Sequence, residues 1–214
     1  MIATKQESLH ISFEEYLRIE ELVEGRLEYD NGKIVHKEGS EPLPDWVVRE
    51  LLKPDFDDRK LDFEFPQFTM KHTYLIHNLF GLFVLNPEIE DIVKVYVQDP
   101  QIITPRTCRV PDLSICPEIS KQIIERESIV NPIVLFEVLS PFTASKDRIN
   151  KLDEYLSIES LQEYFLVSQE EIKIERYGRT EGKRWEYEAF REGVLPVSSV
   201  EVELELGKIY KDIF

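Results

Sequence analysis

Apolar positions recur along this chain with two different periods. Phe13, Tyr16, Leu17, Ile19, Leu22 and Val23 follow helical spacing, and Ser12 with Glu15 three residues later makes a capping-box pattern, so a helix is predicted over 13–24. Leu27 to Asp30 and Lys33 to His36 flank Asn31-Gly32, the dipeptide best suited to a two-residue type I′ turn, which predicts a β-hairpin. A second helix is predicted over 69–85, apolar at Leu75, Leu79, Leu82 and Phe83 and stopping before Asn86-Pro87, with a short one over 45–53. Beyond it the pattern changes to β-branched and aliphatic runs bounded by proline, at 92–97, 101–104, 109–115 and 133–139. A helix over 144–158 follows, then strands at 163–168, 172–177, 185–190 and 200–206; in the last, Val and Leu alternate with Glu201, Glu203 and Glu205, which leaves one face wet. The stretch 37–67 is the least legible, with four prolines and a dense acidic run.

These elements suit one domain of 214 residues with a complete core. The apolar runs fall far short of the roughly 20 residues of a membrane span, and the first ten residues lack a signal-peptide pattern, so a cytoplasmic protein is expected. Cys108 and Cys116 cannot make a disulfide framework, and no CxxC pair exists; any metal would sit on oxygen. The net charge of −16 repels polyanions and makes a simple DNA-coating role a poor fit, although a cation-bridged nucleic-acid site remains compatible with it. No glycine loop that cradles phosphates and no Ser-His-Asp spacing is present, which argues against a nucleotide cofactor and serine-hydrolase chemistry.

Three residues stand out chemically. Glu137 lies inside Ile133-Val134-Leu135-Phe136-Glu137-Val138-Leu139, where a buried ionised carboxylate is costly unless cations or donors satisfy it. Asp112 follows Pro111 and leads into Leu113-Ser114-Ile115; Pro-Asp suits a turn at a strand entrance, but if this strand neighbours the Glu137 strand, the two acids can converge on one hard cation. Lys151 stands four residues after Asp147, the spacing of a surface ion pair, yet its helix starts just past the strand that carries Glu137.

The segments Arg109-Val110-Pro111-Asp112, Phe136-Glu137-Val138-Leu139-Ser140-Pro141, Thr143 to Leu152 and Ile158 to Tyr164 resemble the Uma-type family of putative restriction endonucleases, of the PD-(D/E)xK nuclease superfamily. The resemblance runs from the Phe13 helix through the C-terminal strands, with 37–67 as a longer insertion. It implies an α/β (α+β) fold with a restriction-endonuclease-like mixed central sheet flanked by helices, an N-terminal helix and a hairpin. It implies a magnesium- or manganese-dependent DNA endonuclease in which Asp112 and Glu137, with the backbone carbonyl of Val138, hold the metal. The usual lysine two places after the acid is absent, since that position is Leu139, and the resemblance moves it to Lys151. Glu28 matches an acidic position of the first hairpin that assists the metal, but also reads as an exposed hairpin glutamate. His72 matches a helix histidine of the family, but a histidine on a half-buried helix is more often a hydrogen-bonded structural residue, and Tyr155, one turn past Lys151, reads as packing. Cutting both strands of a duplex needs two such sites, hence a homodimer. The rival reading is a catalytically silent nuclease-fold module for binding or assembly. A third reading is a carboxylate-based hydrolase of small phosphoesters that uses the same metal site without a groove for a duplex, and a basic rim of Arg106, Arg109, Lys146 and Arg148 would argue against it.

Overall fold

The computed structural model describes residues 9–23, 26–39, 41–57, 61–89, 92–98, 100–117, 122–123, 128–129, 131–140, 151–181 and 184–214. The chain divides into two compact units, Met1–Gln67 with Thr104–Arg109, and Phe68–Ile103 with Val110–Phe214.

In the first unit, α1 (Phe13–Glu20) opens with the expected capping box: Glu15 N–H donates to Ser12 Oγ at 3.1 Å, and Ser12 N–H donates back to Glu15 Oε2 at 2.7 Å. The helix stops short of residue 24 because Leu22, 48% exposed, gives the next turn no apolar anchor. Its buried Tyr16 packs on Phe13 and Tyr29 and donates its hydroxyl to the Leu27 carbonyl. The hairpin of β1 (Leu27–Asp30) and β2 (Lys33–His36) turns at Asn31 and Gly32, both at positive φ. Gly32 has a second reason to be glycine, because the His10 ring fills the space a Cβ would take. The helix α2 (Asp45–Leu51) follows. The strand β5 (Thr107–Arg109) pairs with β1, and its Arg109 is fully buried.

The second unit is built on a mixed six-stranded sheet. Its strands are β3 (Val93–Val97), β6 (Leu113–Pro117), β9 (Val134–Leu139), β10 (Glu163–Ser168), β11 (Ile174–Arg179) and β12 (Trp185–Phe190), in the order β12-β11-β10-β9-β6-β3. All neighbours are antiparallel except β9 and β10, whose parallel pairing requires a crossover that carries α4 (Leu152–Leu156). On one face, α3 (Met70–Val84) lays Leu75, Ile76, Leu79 and Phe83 against Val134, Phe136 and Val138. On the other, Leu135 and Leu139 meet Tyr155 and Leu161. Because both faces are covered, β9 is buried throughout, which explains its unbroken apolar run. Short strands β4 (Ile102–Ile103), β7 (Gln122–Ile123) and β8 (Ser128–Ile129) pair in the order β4-β8-β7, β4 with β8 parallel and β8 with β7 antiparallel. A ribbon of β13 (Val194–Val197) and β14 (Val202–Glu205), then α5 (Leu206–Ile209), closes the α3 side of the core.

The expectation of one strand over 109–115 is corrected, and a strand without a sequence expectation is added. The single strand over 109–115 is two strands, β5 and β6, in different units. Pro111 has no N–H for a ladder, and the chain breaks at Val110 to Asp112. The stretch 194–197, which carries Pro196, is a strand that proline and glycine had masked. The opening of the predicted 144–158 helix, with Lys146, Asp147 and Arg148, lies outside the described residues. Among the described residues no helix is long and apolar enough to cross a membrane.

Candidate active site

The carboxyl end of β9 gathers the chemistry-bearing side chains of the second unit. Strand alternation turns Glu137 to the same face as Leu135 and Leu139, toward α4. There its Oε1 accepts a hydrogen bond from the Tyr155 hydroxyl at 3.0 Å and takes the Lys151 ammonium at 3.4 Å. Glu137 and Lys151 are each 3% exposed. Lys151 and Tyr155 are four residues apart, so one face of α4 and its N-cap presents both to the strand. A carboxylate buried this deeply depends on such partners, and removing the Lys151 cation costs more than removing a neutral donor.

Asp112 sits one residue beyond the last rung of the β6–β9 ladder, Leu113↔Phe136, and so lies level with Glu137. Its Oδ2 accepts the Val138 N–H at 2.7 Å, ending the ladder with a side chain where a strand carbonyl would otherwise serve. The same oxygen meets His72 Nε2 at 3.2 Å, while Oδ1 takes the Gln98 side-chain amide at 3.4 Å. The Gln98 backbone N–H also donates to the Asp112 carbonyl, and Gln98 does so from a left-handed φ of 54°. A non-glycine residue held there carries backbone strain, a feature concentrated at functional sites.

His72 is itself fixed from behind. Its N–H donates to Oγ1 of Thr69, the N-cap of α3, at 3.1 Å. The Thr69 hydroxyl bonds the side-chain oxygen of Gln169, and the amide nitrogen of Gln169 donates to the Leu139 carbonyl at 2.9 Å. A circuit therefore runs from the Val138 N–H through Asp112, His72, Thr69 and Gln169 back to the Leu139 carbonyl. It ties the first turn of α3 to the strand end that carries Glu137.

Asp112, Glu137, Val138 and Lys151 thus all lie in one unit, with Asp112 bonded to the Val138 N–H and to His72, and Glu137 bonded to Lys151 and Tyr155. Glu28 lies in the other, 2% exposed, with Arg109 as its partner at 3.4 Å; Arg109 also holds Asp30 at 3.2 Å. The reading of Glu28 as an exposed hairpin residue is therefore corrected, and so is Arg109 as part of a basic rim, because its buried guanidinium is taken up by buried Glu28 and half-buried Asp30. Tyr155 does more than pack, and its spacing from Lys151 was the available signal. Gln98, Thr69 and Gln169 carried no local signal, since Thr69 and Gln169 are 100 residues apart. Among the described residues no group of three His, Cys, Asp or Glu side chains forms a ready metal cluster. The carboxylates of Asp112 and Glu137 are hard oxygen donors, of the kind that suits magnesium or manganese rather than zinc.

Comparison with known proteins agrees with this architecture. The sequence profile of Uma2, described as "Putative restriction endonuclease", matches residues 63–207. The structure is similar to the crystal structure of a protein described as a putative nuclease belonging to DUF820 from Anabaena variabilis ATCC 29413. The TM-score is 0.63 at 17% sequence identity, over 88% of this chain and 91% of that one. No curated protein matches the chain.

Proposed function

Since the chain belongs to the Uma2 family of restriction-endonuclease-like proteins, we propose that it is a divalent-metal-dependent DNA endonuclease with its site at the carboxyl end of β9. The observation that carries the reading is the pair of buried acids, Asp112 and Glu137, level with each other on adjacent strands, with Lys151 on one of them. In this reading Asp112, Glu137 and the Val138 carbonyl hold magnesium or manganese. When bound, that ion would lower the pKa of water and offset charge on a scissile phosphate. Lys151 orients the attacking water or neutralises charge that develops on the phosphate oxygens. Tyr155 keeps the Glu137 carboxylate in one rotamer, and His72 and Gln98 do the same for Asp112. Glu28 is held by Arg109, so the reading rests on the other three.

DNA is the substrate the family description points to. A chain of net charge −16 repels that polyanion, so little affinity is expected without the divalent ion. Two copies would supply one site per strand of a duplex. A second reading has an observation of its own: both carboxylates already have protein donors, as in a catalytically silent module whose acids are structural. Plasmid cleavage with magnesium or manganese separates the two. The nuclease reading expects nicking or linearisation by the wild type and its loss in Glu137→Gln and Lys151→Ala. Inert wild-type protein, across both metals and across supercoiled, linear and single-stranded DNA, would establish the silent module.

A further inference from the structure

We propose that the outer face of α3 is a contact surface between two copies of this chain, helix against helix, with the closest approach near Gly81. The buried side of α3 is fully used by Leu75, Ile76, Leu79 and Phe83. On the opposite side Met70, Tyr74, His77, Gly81 and Val84 follow one another at steps of four and three, and Leu85 caps the stripe. That alternation is the seam spacing of paired helices, here carried for two heptads on solvent-facing positions. Met70 is 65% exposed and Leu85 83%. A helix that is apolar on both sides belongs inside something, and this one has an open side.

Gly81 is the second observation. It sits within the stripe, one turn from its C-terminal end, where glycine weakens a helix, and a Cβ there would meet nothing within 4 Å. The fold of a single chain gives no reason for its smallness. A crossing helix does, because a residue without a side chain lets the two backbones approach closely.

Charge decides which partner fits. Asp and Glu make up 42 of the 214 residues, yet α3 contains neither, and Lys71 is its one full charge. An anionic membrane surface is opposed by the net charge of −16, and a basic partner would find no acid on this face. Two like-charged copies meet with least repulsion through the surface that has shed its carboxylates. A two-fold axis makes the same stripe serve both copies. A seam about 22 Å long and one helix wide falls short of the roughly 800 Å² per partner of a standard stable interface, so the pair is weak and concentration-dependent. It does not depend on the nuclease reading, although it would supply that reading with its second site.

Sedimentation equilibrium of the full chain tests this, from low micromolar to near-millimolar concentration, in about 0.05 M and about 0.5 M sodium chloride. The expected result is a reversible monomer–dimer equilibrium that shifts toward dimer by roughly tenfold or more at the higher salt, as screening relieves repulsion between the two acidic copies. Gly81→Glu, whose side chain enters open space, and Tyr74→Glu should both remain monomeric with an unchanged circular dichroism spectrum. If Tyr74→Glu does not fold, Gly81→Glu alone decides. A wild type that stays monomeric throughout, a dimer that weakens as salt rises, or a dimer unaffected in folded Gly81→Glu would each overturn the proposal.

Discussion

Replacing Tyr155 with phenylalanine removes one oxygen atom and nothing else. The ring stays fully buried against Tyr164, so no cavity opens. What is lost is the hydroxyl that donates to Glu137 Oε1 at 3.0 Å. A hydrogen bond to a charged group is worth about 1.5–3 kcal/mol, and with both partners buried this one falls inside that range. For a chain of this size about 2 kcal/mol corresponds to a fall in Tm of roughly 4–8 °C. Lys151→Met should cost more, about 3–5 kcal/mol, because it leaves a buried carboxylate without its cation. Thermal melts by circular dichroism at neutral pH, with both variants in the same buffer, read the two numbers. The double variant should lose less than the sum, since both partners act on one oxygen. A Tyr155→Phe protein that melts within a degree of the wild type would refute the claim that this hydroxyl holds Glu137.

Further outcomes follow from other parts of the molecule. His36 in the first unit accepts the Glu38 N–H through Nδ1, and burial pushes its pKa down to about 4. A folded-state pKa below the usual value for histidine means the unfolded chain takes up the proton first. Stability should therefore fall as pH drops from about 6.5 toward 4, by at most about 3 kcal/mol from this group, and urea titrations of His36→Gln should show a smaller loss across that window. Burial pushes the thiols of Cys108 and Cys116 up to about 12, so neither should react with iodoacetamide in the native protein at pH 8, whereas both react in denaturant; rapid native labelling would contradict their placement. Thr69→Val and Gln169→Met each break the circuit behind His72, so each should weaken activity and the pair should add little beyond either alone; fully additive losses in cleavage rate would show that the two residues act separately.

Elements with a strong local pattern were legible from sequence. The capping box at Ser12, the Asn31-Gly32 turn, the apolar period of α3 and the buried run of β9 each fix a backbone state through neighbours close in the chain. What escaped was set by distant partners. The break between β5 and β6 was announced by Pro111, but which sheet each half joins depends on β1 and β9. The candidate site divides the same way. Glu137 was visible as a charge in an apolar run, and its need for a partner follows from the cost of burial. Asp112 and Lys151 stood out as an acid at a strand entrance and a lysine just past the Glu137 strand, with a turn and a surface ion pair as their plainer readings, and the β6–β9 register then set Asp112 level with Glu137. Gln98 and Gln169 look like ordinary polar loop residues until the fold brings a carboxylate to one and a helix N-cap to the other. Arg109 misled because a charged residue beside a catalytic motif suggests a substrate contact, whereas here its buried guanidinium balances buried Glu28 and half-buried Asp30.

The most direct test of the central claim is where a divalent ion binds. Crystals soaked in manganese and measured at a wavelength where it scatters anomalously should show a peak within about 2.0–2.3 Å of oxygens from both Asp112 and Glu137, and Glu137→Gln crystals should lose it. No peak at millimolar manganese, or one on acids elsewhere in the chain, would contradict the assignment of this strand end as the metal-holding site.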